Sequence, residues 1–291
     1  MKRAASAAQA KSTAAAGRLR EWVEGQDPAT HRGAAVGWGR RYARANGQLY
    51  VVLLTAYIFI TLVPASLVMA TYLARDPTVV ADRLIKRLDL TGQTAALVDS
   101  VLTGAAKNQL GSTLIAVVSV FFFGIGFGRV LQAAHARSWG IDVRKYPLTD
   151  QARYLAALLV PLGFVLVYQV QIKVLAGDPA WIGWLLAPVW FVAILWYLVW
   201  APRMLLHGGV SVRDVLPGAV FTMLGFVALY FISALLFAHW LNWYSTYYGG
   251  LGVVMALFFW LMAGATVLIL AAALSPALAE RRDLRQARAP R

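Results

Sequence analysis

The chain has 291 residues, of which 60% are hydrophobic and 14% charged, with a mean hydropathy of +0.62 and a formal net charge of +14. Such a composition excludes an ordinary soluble domain, in which roughly a quarter of residues are charged, and points to an integral membrane protein. The absence of cysteine excludes disulfides, thiolate metal sites and cysteine nucleophiles.

Residues 1–48 read as a basic tail, with Lys2, Arg3, Lys11, Arg18, Arg20, Arg32, Arg40, Arg41 and Arg44 against three acidic residues. No compact apolar run precedes a cleavage site, so a secretory signal peptide is not expected. Around Leu19, Trp22 and Val23, and again around Trp38 and Tyr42, apolar side chains sit among arginines, as in a helix lying on an anionic membrane surface. A solvated tail is the alternative for both.

A membrane domain is expected over 49–280, with a basic tail at 281–291. About twenty apolar residues at about 1.5 Å rise cross the roughly 30 Å hydrocarbon core, and six stretches meet that length. The first runs from Tyr50 to Leu73 and contains Pro64, which removes a backbone donor and should kink the helix. The segment 74–110 is too polar to span. Val80, Leu84 and Leu88, then Leu97 and Val101, are spaced by four, so it predicts an outer amphipathic hairpin broken at Thr91-Gly92. The second span, Ser112 to Ala133, contains Gly124-Ile125-Gly126-Phe127-Gly128; without a preceding strand this is no nucleotide loop, and Gly124 and Gly128 suit close helix packing. The third is Tyr154 to Leu175, the fourth Trp181 to Ala201, the fifth Val215 to Trp240. The sixth lies within Tyr244 to Ala279, aromatic at its start and running into Arg281, Arg282 and Arg285.

Topology follows from the basic residues. With both termini inside, the inner segments hold the nine of the N-tail and Arg129, Arg137, Arg144, Lys145 and Arg153 between spans two and three. Arg203 and Arg213, and five more in the C-tail, join them. Only Arg75, Arg83, Lys86, Arg87, Lys107 and Lys173 fall outside, so the positive-inside rule places the N and C termini in the cytoplasm. The same rule explains the net charge without nucleic acid, and no stretch interleaves basic residues with base-stacking aromatics. The fold class expected is all-α, a polytopic membrane protein with six transmembrane helices.

Two motifs carry a resemblance. The run Tyr248-Gly249-Gly250-Leu251-Gly252, followed by an apolar helix with Trp260 and then Ala277-Leu278-Ala279-Glu280-Arg281, is similar to the closing segment of the YihY/BrkB family of bacterial inner-membrane proteins. Val210-Ser211-Val212-Arg213-Asp214-Val215-Leu216-Pro217-Gly218-Ala219 resembles that family's entry into its fifth helix, and Pro64 also fits its pattern. The resemblance implies an inner-membrane protein of envelope maintenance. Some members carried an early ribonuclease label, but nothing in the chain resembles a nuclease site. Many members end the sixth span in Gly-Ala-Glu-Leu-Asn; here Ala273 and Ser275 stand where the acid and the amide would be.

Embedded ionisable groups are costly and therefore functional candidates. Arg129, with Gln132 one turn on, lies near the inner end of the second span, and Lys173, with Gln169 on the same face, near the outer end of the third. Snorkelling to the interface is the plain alternative for both cations. Arg129 could instead meet Asp214 or a lipid phosphate, which a guanidinium binds well, and Arg213 adjoins that site. The four histidines show no ligand spacing, so neither a metal nor another cofactor is expected. No span contains Asp or Glu and no serine sits in a nucleophile elbow, so no enzymatic activity is expected. The leading expectation is binding or translocation of a lipid-like anionic amphipath, with membrane lipids and their anionic headgroups as partners. A non-transporting scaffold for envelope proteins, possible as a homo-oligomer, is the second reading; a small-molecule exporter is the third, weakened by the missing carboxylates.

Overall fold

The computed structural model describes residues 25–73, 109–142, 147–174 and 180–289, with isolated positions between 82 and 100. Among the described residues every regular element is a helix: α1 (His31–Arg44), α2 (Gly47–Leu73), α3 (Gln109–Trp139), α4 (Pro147–Val174), α5 (Ala180–Leu205), α6 (Val212–Tyr248) and α7 (Gly250–Arg288). Helices are what a bilayer demands, because hydrocarbon offers backbone groups no hydrogen-bond partner. Each of α3 to α7 is long and apolar enough to cross; α1 and α2, bent by 62° at their junction, make a sixth candidate together.

Solvent is legible from the surface. Leu114, Phe122, Val189, Val192, Leu224, Phe231 and Leu235 are all exposed, an arrangement that water would penalise and lipid accepts. The buried core is correspondingly slim. It joins Val51 and Leu54 of α2, Phe127 and Leu131 of α3, Ala157 and Leu158 of α4, Leu205 of α5 and Ile269 of α7. Close approach supplements it: α3 meets α4 where a Cβ on Gly128 would run into the Tyr154 backbone and one on Gly124 into Leu158. Without a hydrophobic drive between helices, such backbone proximity supplies van der Waals contact.

Several boundaries differ from the sequence expectation. Helix α6 continues through Trp240 to Tyr248, so Trp243, Tyr244, Tyr247 and Tyr248 cap the end of α6 rather than the start of the last span. The break waits for Gly249, whose φ of +56° is left-handed and cheap only for glycine. Helix α7 runs on to Arg288, making most of the supposed C-tail helical. At the other terminus α1, capped by Thr30 Oγ1 accepting from the Gly33 N–H at 3.0 Å, packs on α7 and α3 as part of the bundle. Leu19, Trp22 and Val23 lie outside the described residues, as does most of the outer hairpin; Gly92 has the left-handed φ of +60° that a break there needs. The chain passes position 64 as helix.

Candidate functional site

One end of the bundle gathers α1 with the C-termini of α3, α5 and α7 and the N-termini of α4 and α6, and polar contacts hold it together. Ser211 caps α6: its Oγ accepts from the Asp214 N–H at 3.3 Å and donates to Asp214 Oδ2 at 2.6 Å. The other Asp214 oxygen pairs with Arg282 of α7. From α1, Arg41 donates to Glu280 Oε2 at 2.8 Å and to the Ser138 carbonyl at 3.0 Å, and Trp38 Nε1 donates to the Leu270 carbonyl at 2.8 Å. Arg288 grips both oxygens of Asp27, at 2.6 and 3.1 Å. That guanidinium, with the Ala29 N–H, holds the Asp27 carboxyl below the usual carboxylate range. His207, at a left-handed φ of +54°, places Nε2 2.8 Å from Asp150 Oδ1, where Arg153 also arrives at 3.3 Å.

Below this end lies a cavity of about 270 Å³, walled by α3 to α7 with Ile58 of α2. Helix irregularities line it: Pro161 in α4, Pro202 in α5 and Gly218 in α6. Proline 161 cannot donate to the Ala157 carbonyl one turn back; the Tyr197 hydroxyl of α5 donates to it instead, at 2.5 Å. In α6 the Gly218 N–H donates to Ser275 Oγ of α7 at 3.1 Å, and a Cβ on Gly218 would run into that same oxygen. Ser275 in turn donates to the Val215 carbonyl at 3.3 Å, and Thr222 Oγ1 to the Gly218 carbonyl at 2.9 Å. His135 Nδ1 lies 2.9 Å from the Leu131 carbonyl. All other lining side chains but Trp139 are apolar, and among the described residues no Asp, Glu, Lys or Arg lines the cavity.

The residues chosen from sequence do not converge there. Gln132 is buried and bonded at both ends of its amide: Nε2 donates to the Leu205 carbonyl at 2.7 Å and Oε1 accepts from the Tyr154 hydroxyl at 2.6 Å, joining α3, α4 and α5. Arg129 and Arg213 are exposed. The meeting of Arg129 with Asp214 weighed from sequence is not found among the described residues; Asp214 pairs with Arg282 of α7 instead. Gln169 and Lys173 lie on α4, with side chains outside the described residues. Of the motif residues, Gly218 reaches the cavity wall; Pro217 and Trp260 are half-buried and Gly252 is buried. Tyr197 and Thr222 escaped sequence reasoning, while His135 drew notice only as a histidine without ligand spacing and Ser275 only as a departure from the family's closing pattern. Only the packing names Tyr197 as the donor to the Ala157 carbonyl that Pro161 cannot serve. His207 and Asp150 are 57 positions apart, so no local spacing could pair them.

Among the described residues no group of three or more metal-ligating side chains converges. Comparison with curated proteins and with solved structures finds no match in either. A family model described as virulence factor BrkB matches residues 39–291, taking in the end of α1 and all of α2 to α7. The chain therefore belongs to the BrkB virulence-factor family, the YihY/BrkB group that its two motifs resemble.

Proposed function

We propose that this protein binds, and in that way helps to move, a lipid-like amphipath in the bacterial inner membrane, as a contribution to envelope maintenance and without catalysing a reaction. The observation that carries this reading is the uncharged cavity among α3 to α7. Its volume stands just below the range of about 300–1,000 Å³ typical of small-ligand pockets, room for a chain segment rather than an entire phospholipid. The chain would enter between helices while the headgroup stayed at the polar end, where Arg153, Arg203 and Arg213 belong to segments that the positive-inside rule assigns to the cytoplasm. Since among the described residues no basic side chain lines the cavity, an anionic headgroup would remain outside it.

A photoactivatable phospholipid in nanodiscs tests this. Cross-links on Leu162, Phe226 or Leu268 are expected in the wild type, and their loss is expected in Ala219→Phe, which fills the cavity from α6. A reconstituted flip assay adds the transport arm. Rates no faster than protein-free liposomes, alongside intact cross-linking, would reduce the proposal to binding alone, and absence of both would end it.

A further inference from the structure

The cavity's polar atoms share one feature that the fold did not require. Three hydroxyl groups line it, and each has given its proton to a backbone carbonyl: Tyr197 to Ala157, Thr222 to Gly218 and Ser275 to Val215. Ser275 also receives the Gly218 N–H, but Tyr197 and Thr222 keep acceptor capacity on their oxygens. His135 follows the same logic. A carbonyl can only accept, so the Nδ1 facing Leu131 carries the ring proton and Nε2 of the neutral ring is left as an acceptor. The ring is 8% exposed and lines the cavity, and among the described residues its Nε2 has no hydrogen-bond partner. One lining donor is unspent: Trp139 Nε1, one helical turn beyond His135, is enclosed without a partner.

These are complementary demands. An unmatched buried donor is uncommon in a folded protein, because its lost hydration is not repaid. A carbonyl or carboxylate from a ligand could answer Trp139 but offers nothing to His135, Tyr197 and Thr222. An ammonium could answer the acceptors but would bring a buried charge to a wall without a carboxylate. A hydroxyl both donates and accepts, and carries no charge.

We infer that the group admitted to this cavity is an uncharged hydroxyl on an apolar chain, donating to His135 Nε2 and, after a small turn of the indole, accepting from Trp139 Nε1. This rests on the cavity reading above and narrows it: the occupant is an alcohol-bearing lipid or lipid fragment rather than a fatty acid or a plain hydrocarbon tail. Thr222 and Tyr197 offer the alternative acceptors along the wall. The apolar remainder of the lining, from Phe127 to Leu268, holds the chain.

Three diazirine probes of equal chain length test it in nanodiscs: a long-chain alcohol, the matching carboxylic acid and the matching alkane, with labelled residues located by mass spectrometry. The alcohol should label cavity residues about 2- to 12-fold more than the alkane, the range that one net hydrogen bond supplies, and more than the acid. His135→Phe should bring alcohol labelling down to the level of alkane labelling in the same variant. Should His135→Phe not yield a monodisperse protein, Thr222→Val, which keeps the side-chain shape, should narrow the ratio of alcohol to alkane labelling. Equal labelling by alcohol and alkane, or preference for the acid, overturns the hydroxyl assignment and leaves the cavity reading standing. No cavity labelling by any probe overturns both.

Discussion

The polar end of the bundle and the cavity beneath it join their helices with different groups. At the end, charges and amides are spent between helices: Asp214 on Arg282, Arg41 on Glu280 and Ser138, Gln132 on Leu205 and Tyr154. Among the described residues the cavity has no charged lining, and neutral hydroxyls do the joining, Tyr197 of α5 on the Ala157 carbonyl of α4 and Ser275 of α7 on the Val215 carbonyl of α6, while Thr222 bonds within α6. An embedded polar residue in this protein is therefore no sure guide to its binding site. The end fixes helix positions, and the irregular turns at Pro161, Pro202 and Gly218 accompany the space between them.

The comparison can be broken from the packing side first. Gly128→Val drives a side chain into the Tyr154 backbone, where neither helix can yield, and overpacking of this kind costs about 1–3 kcal/mol or more. The yield of monodisperse protein should collapse. Gly163→Ala on α4, where an added Cβ meets nothing within 4 Å, should leave it unchanged, since Ala favours a helix by about 0.5–1 kcal/mol over Gly.

Next comes Gln132→Leu, which leaves the Leu205 carbonyl and the Tyr154 hydroxyl without their partner. Each orphaned buried group costs roughly 1–3 kcal/mol, so the thermal midpoint in detergent should fall by several degrees. Chain labelling per folded molecule should persist, because Gln132 is not on the cavity wall. Ala219→Phe should invert that pattern. It places a ring in existing space, so the midpoint should shift little while labelling is lost. If Gln132→Leu abolished labelling and Ala219→Phe did not, the division between a structural end and a binding cavity would be wrong.

The smallest effect belongs to Asp27. Its folded-state pKa is lowered by Arg288 and the Ala29 N–H, so its contribution is present above the ordinary Asp range, about pH 4, and is lost as pH falls through the lower folded value. Both partners are exposed, and screening keeps such a pair weak. Asp27→Asn should lower the midpoint slightly at pH 7 and in low salt, with the difference from wild type vanishing in acid or in high salt.

Much of the fold was legible because lipid imposes a simple code: long apolar runs become helices, and Arg-rich segments mark one end. Helix ends were less so. Trp240 to Tyr248 reads as an interface belt, yet nothing there stops a helix until Gly249 supplies a left-handed turn. The docking of α1 on α7 was not legible, because Trp38 and Arg41 look the same on a membrane surface as on the side of α7. The site was legible only in outline. Pro217-Gly218 carried part of the family resemblance, but Ser275, the partner of Gly218, lies 57 residues on and Tyr197 lies 40 residues from the carbonyl it serves. Rare charges drew attention to Arg129 and Lys173, whereas an uncharged cavity has no charge to betray it.

The most direct test of the central claim is a structure determined in nanodiscs prepared from native membrane, without detergent exchange. Elongated density is predicted between Tyr197, Thr222 and Leu268, ending at His135. Side chains of α4 and α6 closing that space, with density confined to the outer surface of the bundle, would contradict the account.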